Sequence, residues 1–497
     1  MKESKKLGQL LLKNSFFPVK HLAFYKSQYI FLYIQPVIKY RYCTQNLNFN
    51  FKRYKRFMKK RYAIVGTGGR AEMYIGALAG NRYSEYAELV AMCDMNQGRM
   101  DHYNKRLVND FNHREVPTYT HDRFDDMIKE CKPDTVIVTT IDRTHHLYGC
   151  RAMELGCNVI SEKPMTIDPE KCQMIIDTQK KTGKKYTVTF NYRYSPRNTK
   201  IKELLDSGIC GTLTSVNFEW LLDTNHGADY FRRWHRNKRN SGGLMIHKAT
   251  HHFDLVNWWI QSRPEVVYAM GDLKFYGREN AEKRGIKEFY TRAKDNPVAQ
   301  KDPFALIVGK GSMLDKLYYE NEKYDAYIRD QSVFSDGIDI EDNMGVMVRY
   351  QNNVVMNYTL CAHCPYEGYR ICFNGTKGRL EFFVIESGVT PLREDLSSFG
   401  NREGDTTQCD RYGMAPEILF QPFWGKPQVF TYDINDKGGH GGGDTKLLDN
   451  LFLGVKDDPM HHAADFHDGA HSILTGIGAN ISMRTGQPVE VQKLIRF

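Results

Sequence analysis

The run Tyr62-Ala63-Ile64-Val65 passes directly into Gly66-Thr67-Gly68-Gly69-Arg70-Ala71, and this junction restricts the fold more than any other stretch of the chain. Four apolar residues bounded by glycine read as a fully buried strand, and the G-x-G-x-x-A that follows opens a helix. The first glycine permits the tight turn. The second lets backbone N–H groups approach a pyrophosphate, and the small Ala71 lets the helix sit against the strand. The phosphates then face the positive helix N-terminus. Taken alone, the six residues fit a strand that merely ends in glycines just as well.

The neighbouring residues favour the first reading. Residues 89–93 form a second buried strand ending at Asp94, whose carboxylate is positioned to accept from both hydroxyls of an adenosine ribose, which favours NAD over NADP. The acid comes later than the roughly 20-residue spacing of the simplest version, and a loop over residues 81–88 absorbs the difference. Arg99, one helical turn on, is the residue that would instead pair with a 2′-phosphate. Further strands are expected over 135–140, 158–161 and 186–190, with helices over 122–130 and 145–155. Alternation of strand and helix means a parallel, doubly wound sheet, an N-terminal Rossmann domain.

Thr140 to His145, Gly156-Cys157-Asn158-Val159 leading into Glu162-Lys163-Pro164, and the later stretch from Gly242 to Asp254 resemble the glucose-fructose oxidoreductase and inositol dehydrogenase family (Gfo/Idh/MocA), over nearly everything from Met58 onward. The resemblance implies an α/β plus α+β chain. Its Rossmann NAD-binding domain would span 58–190, and a substrate and oligomerisation domain 191–497. The second domain would carry a large, mostly antiparallel open sheet with helices on one face, its open face pairing subunits into a homodimer or homotetramer. The cofactor site would comprise Gly66, Gly68, Gly69, Arg70, Ala71, Asp94, Thr140, Asp142, His145, Glu162, Lys163 and Arg193. In the family the lysine of E-K-P reaches both the nicotinamide ribose and the substrate, so Lys163 inherits a catalytic or positioning role. Pro164 holds Lys163 in extended backbone, aiming its side chain off the strand end.

On one continuous helix His247 and His251 would share a face at i, i+4, with Asp254 one turn beyond. The family pattern is Asp, His four later, then Asp three after that, with the His near the substrate hydroxyl. His251 matches that His, whereas His247 stands where the family has Asp and so alters any proton relay carried over from it. An imidazole with an unperturbed pKa of about 6.5 is a suitable general base. Two imidazoles at this spacing also fit a metal, with His235, His252 or His440 as a third ligand, but no H-E-x-x-H accompanies them and a metal-free site is favoured. His247 can also simply pack among helices. Tyr192, Trp234, His235, Arg236, His252 and His440 are the expected substrate contacts, because sugar rings present C–H faces and hydroxyl edges. Of Phe231 and Trp234, one is expected in the core.

With 497 residues, 41% of them hydrophobic, the chain can fill two cores. No stretch approaches 18 uninterrupted apolar residues, so no membrane span is expected. The net charge of +10 is concentrated in residues 1–57, which hold 12 Lys and Arg against the single acid Glu3, leaving 57 basic and 58 acidic residues elsewhere. A nucleic-acid partner is therefore not implied. The basic, aromatic-rich extension looks foreign to the fold. Family members would begin near Met58, so an upstream start is the favoured account, with a transit peptide or a basic membrane anchor as rivals. Eleven scattered cysteines fit a reduced, cytoplasmic protein. The Cys361/Cys364 C-x-x-C has no second pair and reads as two small packed residues, and residues 384–445 read as a loop-rich insertion.

Three functions follow. The first is NAD(H)-dependent oxidation of a secondary hydroxyl of a sugar, cyclitol or glycoside. The second is redox glycoside hydrolysis on recycled, tightly held NAD. The third is a non-enzymatic nucleotide-binding sensor or structural dimer.

Overall fold

A computed structural model describes residues 59–388, 409–410, 414–433, 439–454 and 457–497; the extension 1–57 and part of the insertion 384–445 lie outside them. Six strands, β1 (Lys60–Val65), β2 (Ala87–Cys93), β3 (Thr118–Tyr119), β4 (Thr135–Val138), β5 (Asn158–Ser161) and β6 (Tyr186–Val188), build one sheet in the order β3-β2-β1-β4-β5-β6. Every pair in it is parallel. All four residues of β4 are buried, as a sheet covered on both faces requires. Its helices are α1 (Ala71–Ala79), α2 (Gln97–Phe111), α3 (Phe124–Cys131), α4 (His145–Glu154) and α5 (Pro169–Thr182). Local chemistry sets their ends: Asn96 caps α2 by accepting the Arg99 N–H. Asp168 caps α5 ahead of Pro169, and Gly183 closes it in a left-handed conformation.

The strand order reverses between β1 and β4, which opens a crevice at their C-terminal ends. Gly66 turns there with φ +90°, and a Cβ on it would lie 2.6 Å from the Thr140 nitrogen. Only glycine meets both demands.

The second sheet has nine strands: β7 (Leu213–Asp223), β8 (Pro264–Asp272), β9 (Asn343–Tyr350), β10 (Val355–Cys364), β11 (Glu367–Gly375), β12 (Gly378–Ser387), β13 (Ile418–Pro422), β14 (Gln428–Phe430) and β15 (Val489–Glu490). They run in the order β14-β13-β12-β11-β7-β10-β9-β8-β15. Only β7 and β10 pair in parallel; the rest is antiparallel. Alternation is clean in β9, where Met344, Val346, Val348 and Tyr350 are buried while Met347 is exposed. The buried face packs under α6 (Pro196–Asp206), α9 (Thr250–Ile260) and α11 (Phe466–Thr485). Asn198 of α6 accepts from the Tyr369 hydroxyl and from the Trp259 indole. Two sequence expectations need correction. The insertion 384–445 is not loop throughout, since β12 extends into it and β13 and β14 continue the sheet edge. Cys361 and Cys364 are partly exposed at a register shift that ends β10, where a strand end no longer packs its side chains.

Between β8 and β9 the chain leaves the sheet for residues 273–342, although Asp272 and Asn343 are paired neighbours. Part of this excursion reaches the Rossmann domain, where Leu317 is fully buried in one apolar cluster with Tyr62, Ile64, Met100 and Tyr103. No helix among the described residues is long and apolar enough to cross a membrane.

Candidate active site

Two domains meet at the crevice, and each contributes half of the chemistry. On the Rossmann side, Asp94 ends β2 and accepts hydrogen bonds from the Thr67 N–H and hydroxyl and from the Asn96 N–H. The residues fit a dinucleotide: where Cβ atoms would stand on Gly68 and Gly69, the nearest neighbour is the Tyr318 hydroxyl, at 3.6 and 3.4 Å. The Gly69 N–H donates to that hydroxyl at 2.9 Å. Arg70 and Tyr74 both bond Glu162 Oε1, at 2.7 and 2.6 Å, which fixes the start of the E-K-P turn against α1. His145 wedges beneath it, with Nδ1 2.8 Å from the Pro164 carbonyl and Nε2 3.0 Å from that of Thr140. A neutral imidazole donates to one of these at a time, and burial pushes this one down in pKa.

Lys163 leaves the end of β5 with Nζ 3.3 Å from the His247 carbonyl oxygen. Burial pulls its pKa down to about 8, against the raising effect of Glu162 and Asp142. His247 Nδ1 lies 2.6 Å from Asp142 Oδ2, so the carboxylate that the histidine stretch lacks is supplied by the other domain. Burial drives Asp142 well up, outweighing Lys163 and Arg233, and drives His247 well down, with Lys163 and Arg233 adding to it. Both shifts have burial as their largest cause, which disfavours charge on either partner.

The expected continuous helix is broken. A four-residue α8 (Leu244–His247) precedes α9, which starts at Thr250, and the change of direction at Lys248 and Ala249 gives the two histidines different surroundings. His247 faces the His235 ring at 4.1 Å and Tyr230 at 5.5 Å. His251 faces Tyr192 at 5.0 Å and His440 at 5.5 Å. His251 is 2% exposed, and both of its ring nitrogens are buried with no hydrogen-bond partner among the described residues. Its pKa lies well below the ordinary value, through burial first and then the nearby Lys163 and His440. His440 arrives on its loop with Nδ1 2.8 Å from the Asn191 amide and 3.1 Å from Asp444. Burial alone would raise Asp444, but His440 and Arg70 hold it below the usual carboxylate range. Trp234 is half-buried and stacks on His235 with ring centroids 3.5 Å apart, while Phe231 is fully buried.

Several expected site residues are committed elsewhere. Arg193, expected at the cofactor, is clamped bidentately to Asp254 at 2.8 and 2.6 Å, both side chains 2% exposed; it ties the Asn191–Tyr194 turn to α9. Arg236, expected at the substrate, bonds Gln331, the Ser332 and Asp336 carbonyls and the Ser335 hydroxyl. His252, one residue and about 100° round the helix from His251, stacks on Trp220 at 4.0 Å and bonds the Tyr358 hydroxyl in the core. Asp142, expected at the cofactor, pairs with His247. Arg99, the candidate for a 2′-phosphate, is ion-paired to Asp325 at 2.7 Å and donates to the Leu317 carbonyl.

Some contributors went unread. Asp444 stands four residues after His440, a spacing that could have flagged it, and Lys248, with its ammonium 5.0 Å from the Trp220 ring, adjoins His247. Tyr318 carries no sequence signal at all.

Comparison with known proteins agrees with this fold. The model described as "Oxidoreductase family, NAD-binding Rossmann fold" matches residues 60–190, and "Oxidoreductase family, C-terminal alpha/beta domain" matches 202–491. The chain is similar to the Bacillus subtilis (strain 168) protein YteT, named as an oxidoreductase: 34% identical over 459 residues, 88% of this chain and 99% of that one. It is 27% identical over 201 residues to Glycosyl hydrolase family 109 protein 1 of Akkermansia muciniphila, 38% of this chain and 40% of the relative. Among solved structures, the aldose-aldose oxidoreductase of Caulobacter crescentus complexed with glycerol superposes with a TM-score of 0.54 at 16% identity, covering 87% of this chain and 99% of that one.

Proposed function

The chain belongs to the Gfo/Idh/MocA family of NAD-binding oxidoreductases, and from that premise we propose that it oxidises a secondary hydroxyl of a sugar, cyclitol or glycoside with NAD. The observation that carries this reading is His251, a neutral imidazole with two unpartnered buried nitrogens across the crevice from the E-K-P lysine. A nicotinamide bound at the β1/β4 crevice would supply the acceptor for the carbinol hydride. His251 accepts the hydroxyl proton as the C–H bond breaks, burial keeping it unprotonated at working pH. Lys163, tethered to the His247 carbonyl, donates to the same substrate oxygen and orients it. The buried Asp142–His247 pair lies against Lys163 and fixes the carbonyl to which its ammonium is tethered. Trp234 offers its open face to the sugar ring, and its neighbour His235 holds it in plane. NAD is favoured over NADP because the Asp94 carboxylate would repel a 2′-phosphate and Arg99 is already paired. The exposed residues Met270, Met347, Leu419 and Val429 on the open sheet face support self-association there.

Purified protein titrated with a panel of sugars, cyclitols and aryl glycosides, while the absorbance of the reduced nicotinamide is followed, tests the assignment. Absence of any reduction, with NAD bound, would sink it.

A second reading is favoured by His440. Dehydrogenation needs one proton acceptor, yet the Asp444-backed His440 ring stands 5.5 Å from that of His251. In a redox glycosidase the new ketone acidifies the adjacent C–H. The second imidazole takes that proton as the bond to the aglycone oxygen breaks, and returns it to the departing oxygen. Water then adds to the enone, and the hydride returns to the ketone. Cleavage of an aryl glycoside without added NAD would select this reading over the first.

A further inference from the structure

Residues 313–327 cross from the substrate domain to the two places on the Rossmann domain where half of a dinucleotide would rest. At the glycine turn, the Tyr318 hydroxyl accepts the Gly69 N–H at 2.9 Å. Beyond Asp94, the Asn96 side chain donates to the Asn321 carbonyl at 3.0 Å. Arg99 then donates to the Leu317 carbonyl and pairs with Asp325, the two side chains being 10% and 5% exposed. Gly98 makes this approach possible, since a Cβ on it would stand 1.9 Å from Asn321 Oδ1. The Arg99 guanidinium lies 5.1 Å from the Tyr318 ring and 5.8 Å from the Tyr327 ring, and Leu317 is sunk in the Rossmann core. On the other side the segment is anchored by Arg292, which holds Glu322 and Asp330 at 2.5 and 2.9 Å.

From these contacts we infer that residues 313–327 are a strap that encloses the adenosine and pyrophosphate half of the cofactor, with Tyr318 as a phosphate ligand, and that its closure slows exchange of the dinucleotide. The inference rests on the proposed nicotinamide-dependent reaction and sharpens it. Backbone N–H groups of a G-x-G-x-x-A turn are the groups a pyrophosphate takes, and the phenol oxygen stands in for a phosphate oxygen at one of them. Entry therefore requires Tyr318 to leave Gly69 and the strap to lift from α2. Once the dinucleotide is seated, the strap returns over it and the phenol donates its hydrogen to the phosphate. Release must break the Arg99–Asp325 pair and withdraw Leu317 from an apolar core, which slows it.

The test is the nicotinamide content and exchange rate of the full chain. Protein is dialysed exhaustively and denatured, and the released dinucleotide is quantified. Dissociation of bound NADH is followed by its fluorescence on adding excess NAD. Near-stoichiometric retention in the wild type is expected, with release faster by about tenfold in Tyr318→Phe, which loses one hydrogen bond to a charged group, and by more in Gly98→Ala, which pushes Asn321 off α2. Release at the wild-type rate in both variants overturns the strap. So does wild-type protein that exchanges added NAD within milliseconds, or a Tyr318→Phe variant that binds more tightly, which would make the strap a competitor of the cofactor. A chain that binds no nicotinamide under any condition overturns the proposed function as well, and the two failures are thereby told apart.

Discussion

Replacing His251 with leucine should make the protein inactive and more stable at once. Leucine nearly matches histidine in volume, so the space between Phe190, Tyr192 and His440 stays filled, while the proton acceptor is lost. General-base catalysis by a placed side chain is worth about 10²–10⁴ in rate, about 3–5 kcal/mol of transition-state energy. Stability moves the other way. Two buried ring nitrogens with no partner among the described residues cost about 1–3 kcal/mol in the native state, and leucine removes that cost. There is also a pH signature. The folded pKa of His251 lies well below its ordinary value while the unfolded one is about 6.5, so below about pH 6.5 the unfolded chain binds the extra proton and stability falls as pH falls. That loss is about 1.4 kcal/mol per pH unit down to the folded pKa, and His251→Leu escapes it. With about 2.1 cal/mol/K of unfolding entropy per residue, the described part of the chain converts 1 kcal/mol into about 1 °C of Tm. Thermal melts should therefore place the leucine variant about 1–3 °C above wild type near pH 7.5, and about 1.5 °C further above it near pH 5.5. A variant that melts lower at both pH values, or keeps more than a tenth of wild-type kcat, would refute the assignment of His251 as an unpaired general base.

Arg193→Met should leave Asp254 buried without its cation and cost about 3–5 kcal/mol, read as a fall in denaturation midpoint, with the NAD content of folded protein unchanged. Lys163 has a pKa lowered to about 8 and acts as a donor, so kcat/KM should fall as pH rises through about 8; Lys163→Met should be slow at every pH and lack that alkaline limb. Trp234→Ala should raise KM about tenfold, the loss of roughly 1.5 kcal/mol of aromatic contact, with kcat little changed, since ring stacking binds ground and transition states alike.

Much of the Rossmann half was legible because its signals are local. The strand expected over 158–161 is β5, and α4 is the helix expected over 145–155, ending one residue earlier. A buried parallel strand and a G-x-G-x-x-A turn depend on residues next to one another. The site was legible only where a motif carried it. Lys163, His251 and His440 converge on one crevice, but the partners that set their chemistry lie far off in the chain: Asp142 is 105 residues from His247, and Tyr318 is 249 from Gly69. The side chains that the structure engages elsewhere share a feature. Arg193, Arg236 and His252 are polar residues in the right segment, and polarity in a sequence does not distinguish a side chain that faces ligand from one that meets Asp254, the Ser332 carbonyl or Tyr358. The helix expected through His247 and His251 failed because the periodicity of histidines says nothing about the turn at Lys248 and Ala249 that separates their environments.

Because Asp272 and Asn343 sit opposite each other in adjacent antiparallel strands, the chain between them begins and ends at nearly the same point in space. Such an excursion can lengthen, shorten or vanish into a tight hairpin without disturbing a single rung of the sheet, and chain-closure entropy changes only slowly with its length. Residues 273–342 can thus vary in length without breaking sheet pairing, so long as the core positions that Tyr276, Phe334 and Leu317 fill are filled by other side chains. A lineage that kept the crevice, Lys163 and His251 but trimmed the excursion would turn an enzyme that guards its cofactor into one that trades it with the cell, with no change to the residues that perform the chemistry.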